Sequence, residues 1–138
     1  MRTIVRAATA TTFLAIAGIH MAWGRGSSFP FASHDDLTDA VVGRDATPSP
    51  AACNTVALLL VGAALLVSGA PIGPRRVRRL GVATIVGVLT ARGAAGLAGR
   101  TDALVPGSTS PWFRRNDRRY FAPLCLALAM GSATALGS

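Results

Sequence analysis

A set of polar side chains that could bind a ligand or transfer a proton stands beside long apolar segments of this sequence. The set comprises His20, Trp23, Asn54, Arg92, Asp117 and Tyr120. Arginine supplies a lasting positive charge, histidine can exchange a proton near neutral pH, and amide and hydroxyl groups add hydrogen bonds. If the fold brings these groups together, they would suit a small polar or anionic ligand or a lipid headgroup.

Four apolar segments, each about long enough to cross a bilayer, fill most of the 138-residue chain. A hydrocarbon core of about 30 Å requires roughly 20 apolar residues in a helix. Hydrophobic residues make up 51% of the chain and charged residues only 14%, whereas soluble domains carry about 25% charged residues. The sequence therefore predicts an all-α protein with a single integral membrane domain, residues 1–138. Its fold would be an antiparallel bundle of four transmembrane helices, at about 5–23, 51–70, 80–99 and 120–137.

The net charge of +8 comes from arginine, because the chain contains neither lysine nor glutamate. The arginines flank the apolar segments instead of forming a surface stripe, and aromatic residues are only 6% of the chain. This pattern argues against nucleic-acid binding. The partners that we expect are membrane lipids and a small polar or anionic ligand. The sequence also leaves open whether the protein forms a homo-oligomer or has a partner in a membrane complex.

Antiparallel topology would bring the polar side chains to one end of the bundle. The ends of the first and third spans and the starts of the second and fourth lie on the same side of the membrane. Those four ends carry His20 with Trp23, Cys53 with Asn54, Arg92, and Asp117 with Tyr120. We therefore expect a ligand-binding site at this end.

Arg92 lies about two turns before the end of the predicted third span, roughly 10 Å inside the membrane. A charge at this depth costs a few kcal/mol, so the guanidinium either extends to the headgroups or pairs with a carboxylate in the bundle. We expect it to pair with Asp117, because Arg92 adjoins a stripe of small residues typical of close helix contacts. The stripe recurs at every fourth position as Ala83, Gly87, Ala91, Ala95 and Gly99.

His20 has two interpretations. It could be a hydrogen-bonded neighbour of Trp23 in an interfacial aromatic belt, or a proton-accepting or ligand-binding group. We expect no metal site, because the second histidine, His34, falls in a loop, and we expect no cofactor. Cys53 and Cys125 lack the Cys-x-x-Cys spacing of redox proteins, so we interpret them as small buried residues.

The loops carry several local signals of helix ends. Ser33 followed by two aspartates predicts a short extramembrane helix, about His34–Val42, that Gly43 would end. Ser49-Pro50 and Ser110-Pro111 each combine a capping serine with a proline at the first helical position. The second of these predicts interfacial turns that lead into the fourth span, where Pro123 would introduce a kink.

The distribution of charge favours cytoplasmic termini. The loop Pro71–Arg79 carries four arginines, and Arg2 and Arg6 lie on the same side of the membrane. The third loop argues the other way, with arginines at positions 100, 114, 115, 118 and 119, so the count of arginines alone does not decide. We favour cytoplasmic termini because the first loop also carries aspartates at positions 35, 36, 39 and 45. Ala15-Ile16-Ala17 resembles a signal-peptide cleavage site, but the apolar segment continues beyond it, so we expect the first span to be retained.

Parts of the sequence are similar to a known family. These parts are His20-Met-Ala-Trp23-Gly24, Arg92-Gly93 and Phe113-x-x-x-Asp117-x-x-Tyr120-x-x-Pro123-Leu124-Cys125-Leu126. They resemble a family of small four-helix bacterial integral membrane proteins that is catalogued as a domain of unknown function. The resemblance implies four spans and a plasma-membrane location, and it implies no activity.

The residues leave several functions open, and whether the protein is an enzyme is uncertain. Our leading hypothesis is a non-enzymatic membrane protein that binds a small ligand or a lipid headgroup near Arg92. The alternatives are a membrane-embedded enzyme that uses His20 or Asp117 as acid or base on a lipid-like substrate, or a structural or regulatory subunit of a membrane complex. A cavity lined by His20 and Arg92 would favour the first two. A closed Arg–Asp network without a void would favour the third.

Overall fold

The computed structural model describes residues 1–137, and helices joined by loops make up the whole of this part. The helical content is 73%, and none of the described residues forms a strand, which confirms the all-α prediction. Three helices are long and apolar enough to cross a membrane, namely α1 (Arg2–Gly24), α3 (Pro50–Ser68) and α4 (Arg75–Leu97). Their large apolar side chains are often exposed, as Leu58 is at 74%, which suits helices that face lipid.

The last helical stretch has three consecutive parts. They are α5 (Pro111–Asn116), a π-helical turn (Asp117–Phe121) and α6 (Ala122–Ala133). We expected the fourth span to run from about 120 to 137 with a kink at Pro123, but α6 ends earlier and is 12 residues long. Proline has no backbone N–H to donate, and the widened turn lies directly before Pro123, where we expected a disturbance of the helix.

The long helices pack as two close pairs. α1 lies along α3, and α4 lies along α6, whereas contacts between the two pairs are fewer. The main apolar core joins them through Phe13 of α1, Val67 of α3 and Leu128 of α6, all of which are buried. Apolar burial therefore holds one pair against the other around these side chains.

The small-residue stripe that we predicted on α4 is not the packing face. Ala83, Gly87 and Ala91 are exposed, and apart from the adjoining residues and backbone of α4 itself, no described atom lies within 4 Å of where a Cβ on Gly87 would be. A repeat of four residues drifts by about 40° per step around a helix of 3.6 residues per turn, so the stripe cannot stay on one face. Gly93 and Gly96 are buried instead.

Gly93 sets the close approach of α4 to α6. A Cβ at this position would lie 2.6 Å from Cγ of Leu126 and 3.0 Å from the carbonyl oxygen of Ala122. The absence of a side chain therefore lets the two backbones approach, as small residues do between transmembrane helices.

The short helix predicted in the first loop forms. Ser33 Oγ accepts a hydrogen bond from the backbone N–H of Asp36 at 3.1 Å, and α2 (His34–Leu37) follows. A π-helical turn (Thr38–Val42) continues it. Gly43 then ends it with a φ of +74°, a conformation that glycine adopts without strain. We call His34–Val42 the loop helix.

Other helix ends also follow local sequence signals. Ser49 Oγ accepts from the N–H of Ala52 at 3.1 Å at the start of α3, and Ser110 Oγ accepts from Phe113 at the start of α5. α4 begins at Arg75 rather than near residue 80, so the arginines of the second loop belong to its first turns.

Hydrogen bonds tie the loop helix to the connection between α4 and α5. The carbonyl oxygen of Gly43 accepts from the backbone N–H groups of Thr109 and Ser110, at 2.9 and 3.1 Å. Ser108 Oγ donates to the carbonyl oxygen of Val42 at 2.7 Å. These bonds hold the two longest connections together at one end of the bundle.

Adding a methyl group at Gly93 should destabilise the bundle. We expect Gly93→Ala to lower the free energy of unfolding by about 1–3 kcal/mol, because the methyl group overpacks the α4–α6 contact. Gly87→Ala, on the exposed face of the same helix, is the matched control and should raise stability by about 0.5–1 kcal/mol through helix propensity. Thermal unfolding in detergent measures both variants. Equal effects would show that Gly93 does not govern this contact.

Candidate functional site

A cavity of about 420 Å³ lies at the end of the bundle where α1 and α4 end and α3 begins. This volume lies within the range of small-molecule sites, about 300–1,000 Å³. His20 and Trp23 of α1, Cys53 and Val56 of α3, and Arg92 of α4 contribute to its wall. The structure thus brings together residues from the helix ends that antiparallel topology places on one side.

Arg92 forms the ion pair that we predicted. Its Nη2 donates to Oδ1 of Asp117 at 2.7 Å. The Asp117 side chain is only 2% exposed, and that of Arg92 is 23% exposed. The other carboxylate oxygen accepts a hydrogen bond from the hydroxyl of Thr101. Both oxygens of the buried carboxylate are therefore engaged, which compensates much of its lost hydration.

Gly96 makes room for this ion pair. It lies one turn after Arg92 on α4, and a Cβ there would lie 2.9 Å from both Arg92 Nη1 and Asp117 Oδ2. The same Cβ would lie 2.6 Å from the Cβ of Ala122. We did not predict this role of Gly96 from the sequence. The available signal was a glycine four residues after a buried arginine, which places both on one helix face.

One nitrogen of Arg92 has no hydrogen-bond acceptor. Nη1 is buried, and no described residue accepts a hydrogen bond from it. An unsatisfied buried donor costs about 1–3 kcal/mol, more when the group is charged. Nη1 lies beside Gly96, where a Cβ would be 2.9 Å from it, so protein atoms cover this donor even though other parts of Arg92 line the cavity.

His20 also lines the cavity, and a backbone contact fixes its tautomer. Nδ1 lies 2.9 Å from the carbonyl oxygen of Ile16, which can only accept, so Nδ1 carries a proton and donates it. In a neutral ring Nε2 is then an acceptor. The ring of Trp23 lies 4.9 Å from that of His20, and its Nε1 donates to the carbonyl oxygen of Phe29 at 2.7 Å. His20 is therefore held in place with one nitrogen free.

Three of the predicted site residues do not line the cavity. Asp117 is absent from the cavity wall and is connected to it only through its ion pair with Arg92. Asn54 is exposed, and its Oδ1 approaches Gly24. Tyr120 is 54% exposed, with the guanidinium of Arg119 5.4 Å from its ring centroid.

The positions of Tyr120 and Asn54 have geometric reasons. Asp117 and Tyr120 both belong to the π-helical turn, and its altered number of residues per turn ends the shared face that residues three apart have in an α-helix. Asn54 follows Cys53, which faces inward, so the next side chain points about 100° away around α3.

The loop helix supplies much of the cavity wall. We did not predict this contribution from the sequence. His34, Leu37 and Val41 line the cavity, at spacings of three and four residues that mark one face of a helix. Asn116 Nδ2 donates to the carbonyl oxygen of Ala40 at 3.2 Å. Asn116, to which we had assigned no role, thus fastens this wall to α5.

The two cysteines are free thiols. Cys53 is buried and lines the cavity, and Cys125 is half-buried in α6. Their placement agrees with the interpretation of small, mainly buried residues.

Comparison with known proteins identifies one family. A family model described as "Protein of unknown function (DUF3995)" matches residues 13–132. This match includes every residue that lines the cavity and the ion pair beside it. No curated protein and no solved structure shows significant similarity to the chain.

The ion pair should behave as a coupled unit in a double-mutant cycle. We expect Arg92→Leu to cost about 3 kcal/mol, because it leaves the buried carboxylate of Asp117 without a counter-charge. Combining it with Asp117→Asn should recover about 1–3 kcal/mol of that loss. Unfolding in detergent measures the wild type, both single variants and the double variant. Additive losses would show that Arg92 and Asp117 do not depend on each other.

Proposed function

The chain belongs to the DUF3995 family of proteins of unknown function, and we propose that it is an integral membrane protein that binds a small polar ligand or a lipid headgroup. The ligand would occupy the cavity beside Arg92. The observation that carries this proposal is a cavity of about 420 Å³ whose mainly apolar wall includes the side chains of His20 and Arg92.

The architecture that we propose is a bundle of four spans in the plasma membrane. α1, α3 and α4 are long and apolar enough to cross, and the stretch α5–α6 would be the fourth crossing. α6 has only 12 residues, yet it packs closely along α4. The arginine-rich turns before it would lie at the interface, where such side chains extend to the headgroups.

The arginines support cytoplasmic termini. One end of the bundle carries Arg2, Arg6 and the arginines at 75, 76, 78 and 79, without any aspartate. All aspartates of the chain belong to the other end, with the cavity. The cavity end also carries arginines, at positions 25, 44, 100, 114, 115, 118 and 119, so the count of arginines does not decide the orientation. The density of four arginines in the short loop Pro71–Arg79 is typical of a cytoplasmic loop, and we propose that the cavity opens on the outer side.

The composition of the cavity wall supports binding over a purely structural role. Apolar side chains predominate, and a few polar groups from separate elements converge among them, as in most small-molecule sites. A structural subunit would be expected to close its ion-pair network without a void. Here a void adjoins Arg92, and one of its nitrogens is unpaired.

His20 supports a second candidate, a membrane-embedded enzyme acting on a lipid-like substrate. Its Nε2 is an acceptor in the neutral ring and could accept a proton from a bound molecule. Asp117 is a poorer candidate for acid or base than we expected, because Arg92 and Thr101 engage its oxygens. Assembly as a homo-oligomer or with a membrane partner remains compatible with both proposals.

Reporter fusions test the topology. A reporter fused after the C-terminus should be active in the cytoplasm, and one inserted within Gly43–Thr47 should lie on the opposite side. The reason is that an even number of crossings returns the chain to its starting side. The same compartment for both fusions would contradict four spans, and exchanged compartments would contradict only the orientation.

A cavity-filling variant tests the binding function. Val56 lines the cavity, so Val56→Trp should displace a bound molecule and abolish its co-purification, as detected by native mass spectrometry. Leu58→Trp, at an exposed position of the same helix, is the matched control and should retain the molecule. If Val56→Trp folds normally and retains the same bound species, the cavity is not the binding site.

A further inference from the structure

We infer that the end of the bundle opposite the cavity binds the headgroups of anionic phospholipids. Five arginines form this site, which we call the basic patch: Arg2 of α1 and Arg75, Arg76, Arg78 and Arg79 in the first two turns of α4. The basic patch is a different surface from the cavity, and the inference rests on the proposed membrane architecture. Its charge, its free guanidinium groups and its depth in the membrane each support the inference.

The packing of the helices gathers the basic patch at one end of the bundle. α6 lies antiparallel along α4, so the start of α4 lies near the end of α6. Arg2 is also near the end of α6, because a Cβ on Gly137 would lie 3.4 Å from its Nη1. The start of α1 is joined to the end of α3 by Arg6, whose Nε donates to the carbonyl oxygen of Val67 at 2.9 Å.

No aspartate compensates the charge of the basic patch. All six aspartates of the chain belong to the cavity end. Within the part of the chain that the structure describes, none of the five guanidinium groups forms an ion pair or a hydrogen bond. Arg6 does not belong to the patch, because its side chain is engaged by Val67. The five charges are therefore available to an anion from outside the protein.

A structural role within α4 does not account for its four arginines. Residues three and four positions apart are neighbours on a helix, so Arg75 repels Arg78 and Arg79. The positive end of the helix dipole also disfavours cations in the first turn, and that turn contains no acidic residue. An anionic partner would reduce this repulsion.

The basic patch lies at the depth of the lipid headgroups. α4 has 23 residues, which gives a length of about 34 Å, slightly more than the hydrocarbon core of about 30 Å. Val77 and Leu80 lie among and directly after the arginines and are 59% and 68% exposed, as expected of side chains that face lipid. The guanidinium groups therefore begin where the acyl chains end.

The chemistry of the basic patch favours an anionic phospholipid as its partner. Guanidinium groups bind phosphate through paired N–H donors, and basic clusters beside a transmembrane helix attract anionic lipids. A nucleic acid or an acidic protein would meet the exposed apolar side chains of Val77 and Leu80, whereas a phospholipid covers them with its acyl chains. We therefore expect a lipid with a net negative headgroup, such as phosphatidylglycerol.

Lipid titration of the purified protein in detergent, followed by native mass spectrometry, tests the inference. Dioleoyl phosphatidylglycerol and dioleoyl phosphatidylcholine have the same acyl chains and differ in the net charge of the headgroup. We expect the wild type to bind phosphatidylglycerol at least about tenfold more tightly. Raising ammonium acetate from about 0.1 M to about 0.5 M should reduce this preference, because salt screens exposed charges. Equal affinities for the two lipids would overturn the inference.

A fourfold variant tests whether the basic patch causes the preference. We expect Arg75→Gln/Arg76→Gln/Arg78→Gln/Arg79→Gln to reduce it to about twofold or less, and lysine at the same four positions to retain most of it. The matched control changes four exposed arginines of the cavity end to glutamine, at positions 44, 100, 114 and 115. It should retain the preference, because it removes the same charge elsewhere. An unchanged preference in the patch variant, or an equal loss in the control, would overturn the inference.

The Val56→Trp variant separates the basic patch from the proposed function of the cavity. A preference for phosphatidylglycerol that persists when the cavity is filled supports the basic patch, whether or not the cavity binds a ligand. A preference that disappears in Val56→Trp would place the anionic lipid in the cavity and overturn the inference.

Discussion

The rest of the site depends on the burial of one charge, the guanidinium of Arg92. A charged group inside a helix that faces lipid is costly, and Asp117 reduces that cost at a distance of 2.7 Å. The pair needs space, which Gly96 provides by having no side chain. It also needs a further donor for the carboxylate, which Thr101 provides. The approach of α6 to α4 and the cavity beside Arg92 are therefore parts of one arrangement.

The elements with local signals could be predicted from the sequence. Apolar runs of sufficient length indicated α1, α3 and α4, and Ser33, Ser49 and Ser110 marked helix starts because their hydroxyls can accept from free backbone N–H groups. The convergence of His20 and Arg92 followed from antiparallel topology alone. The partner of Arg92 followed from electrostatics, because a buried cation requires an anion.

The remaining features depend on tertiary contacts that have no local signal. We expected Arg92 to face inward because it adjoins a stripe of small residues, but Ala83, Gly87 and Ala91 of that stripe are exposed, since a four-residue repeat drifts around the helix. The π-helical turn directed Tyr120 away from the cavity, and single-residue changes of helical pitch leave no clear trace in composition. The loop helix became a wall of the site through bonds from Ser108 and Asn116, which lie far away in the sequence.

The separation of Arg92 and Asp117 along the chain has a consequence for biosynthesis. The two residues are 25 positions apart, and the arginine leaves the ribosome first. If the chain enters the bilayer helix by helix as proposed, α4 arrives carrying a charge whose partner does not yet exist. Its insertion is then temporarily uphill by a few kcal/mol, until the segment containing Asp117 follows. When the carboxylate of Asp117 arrives, its attraction for Arg92 would favour packing of the last helix against α4 and would stabilise the earlier insertion.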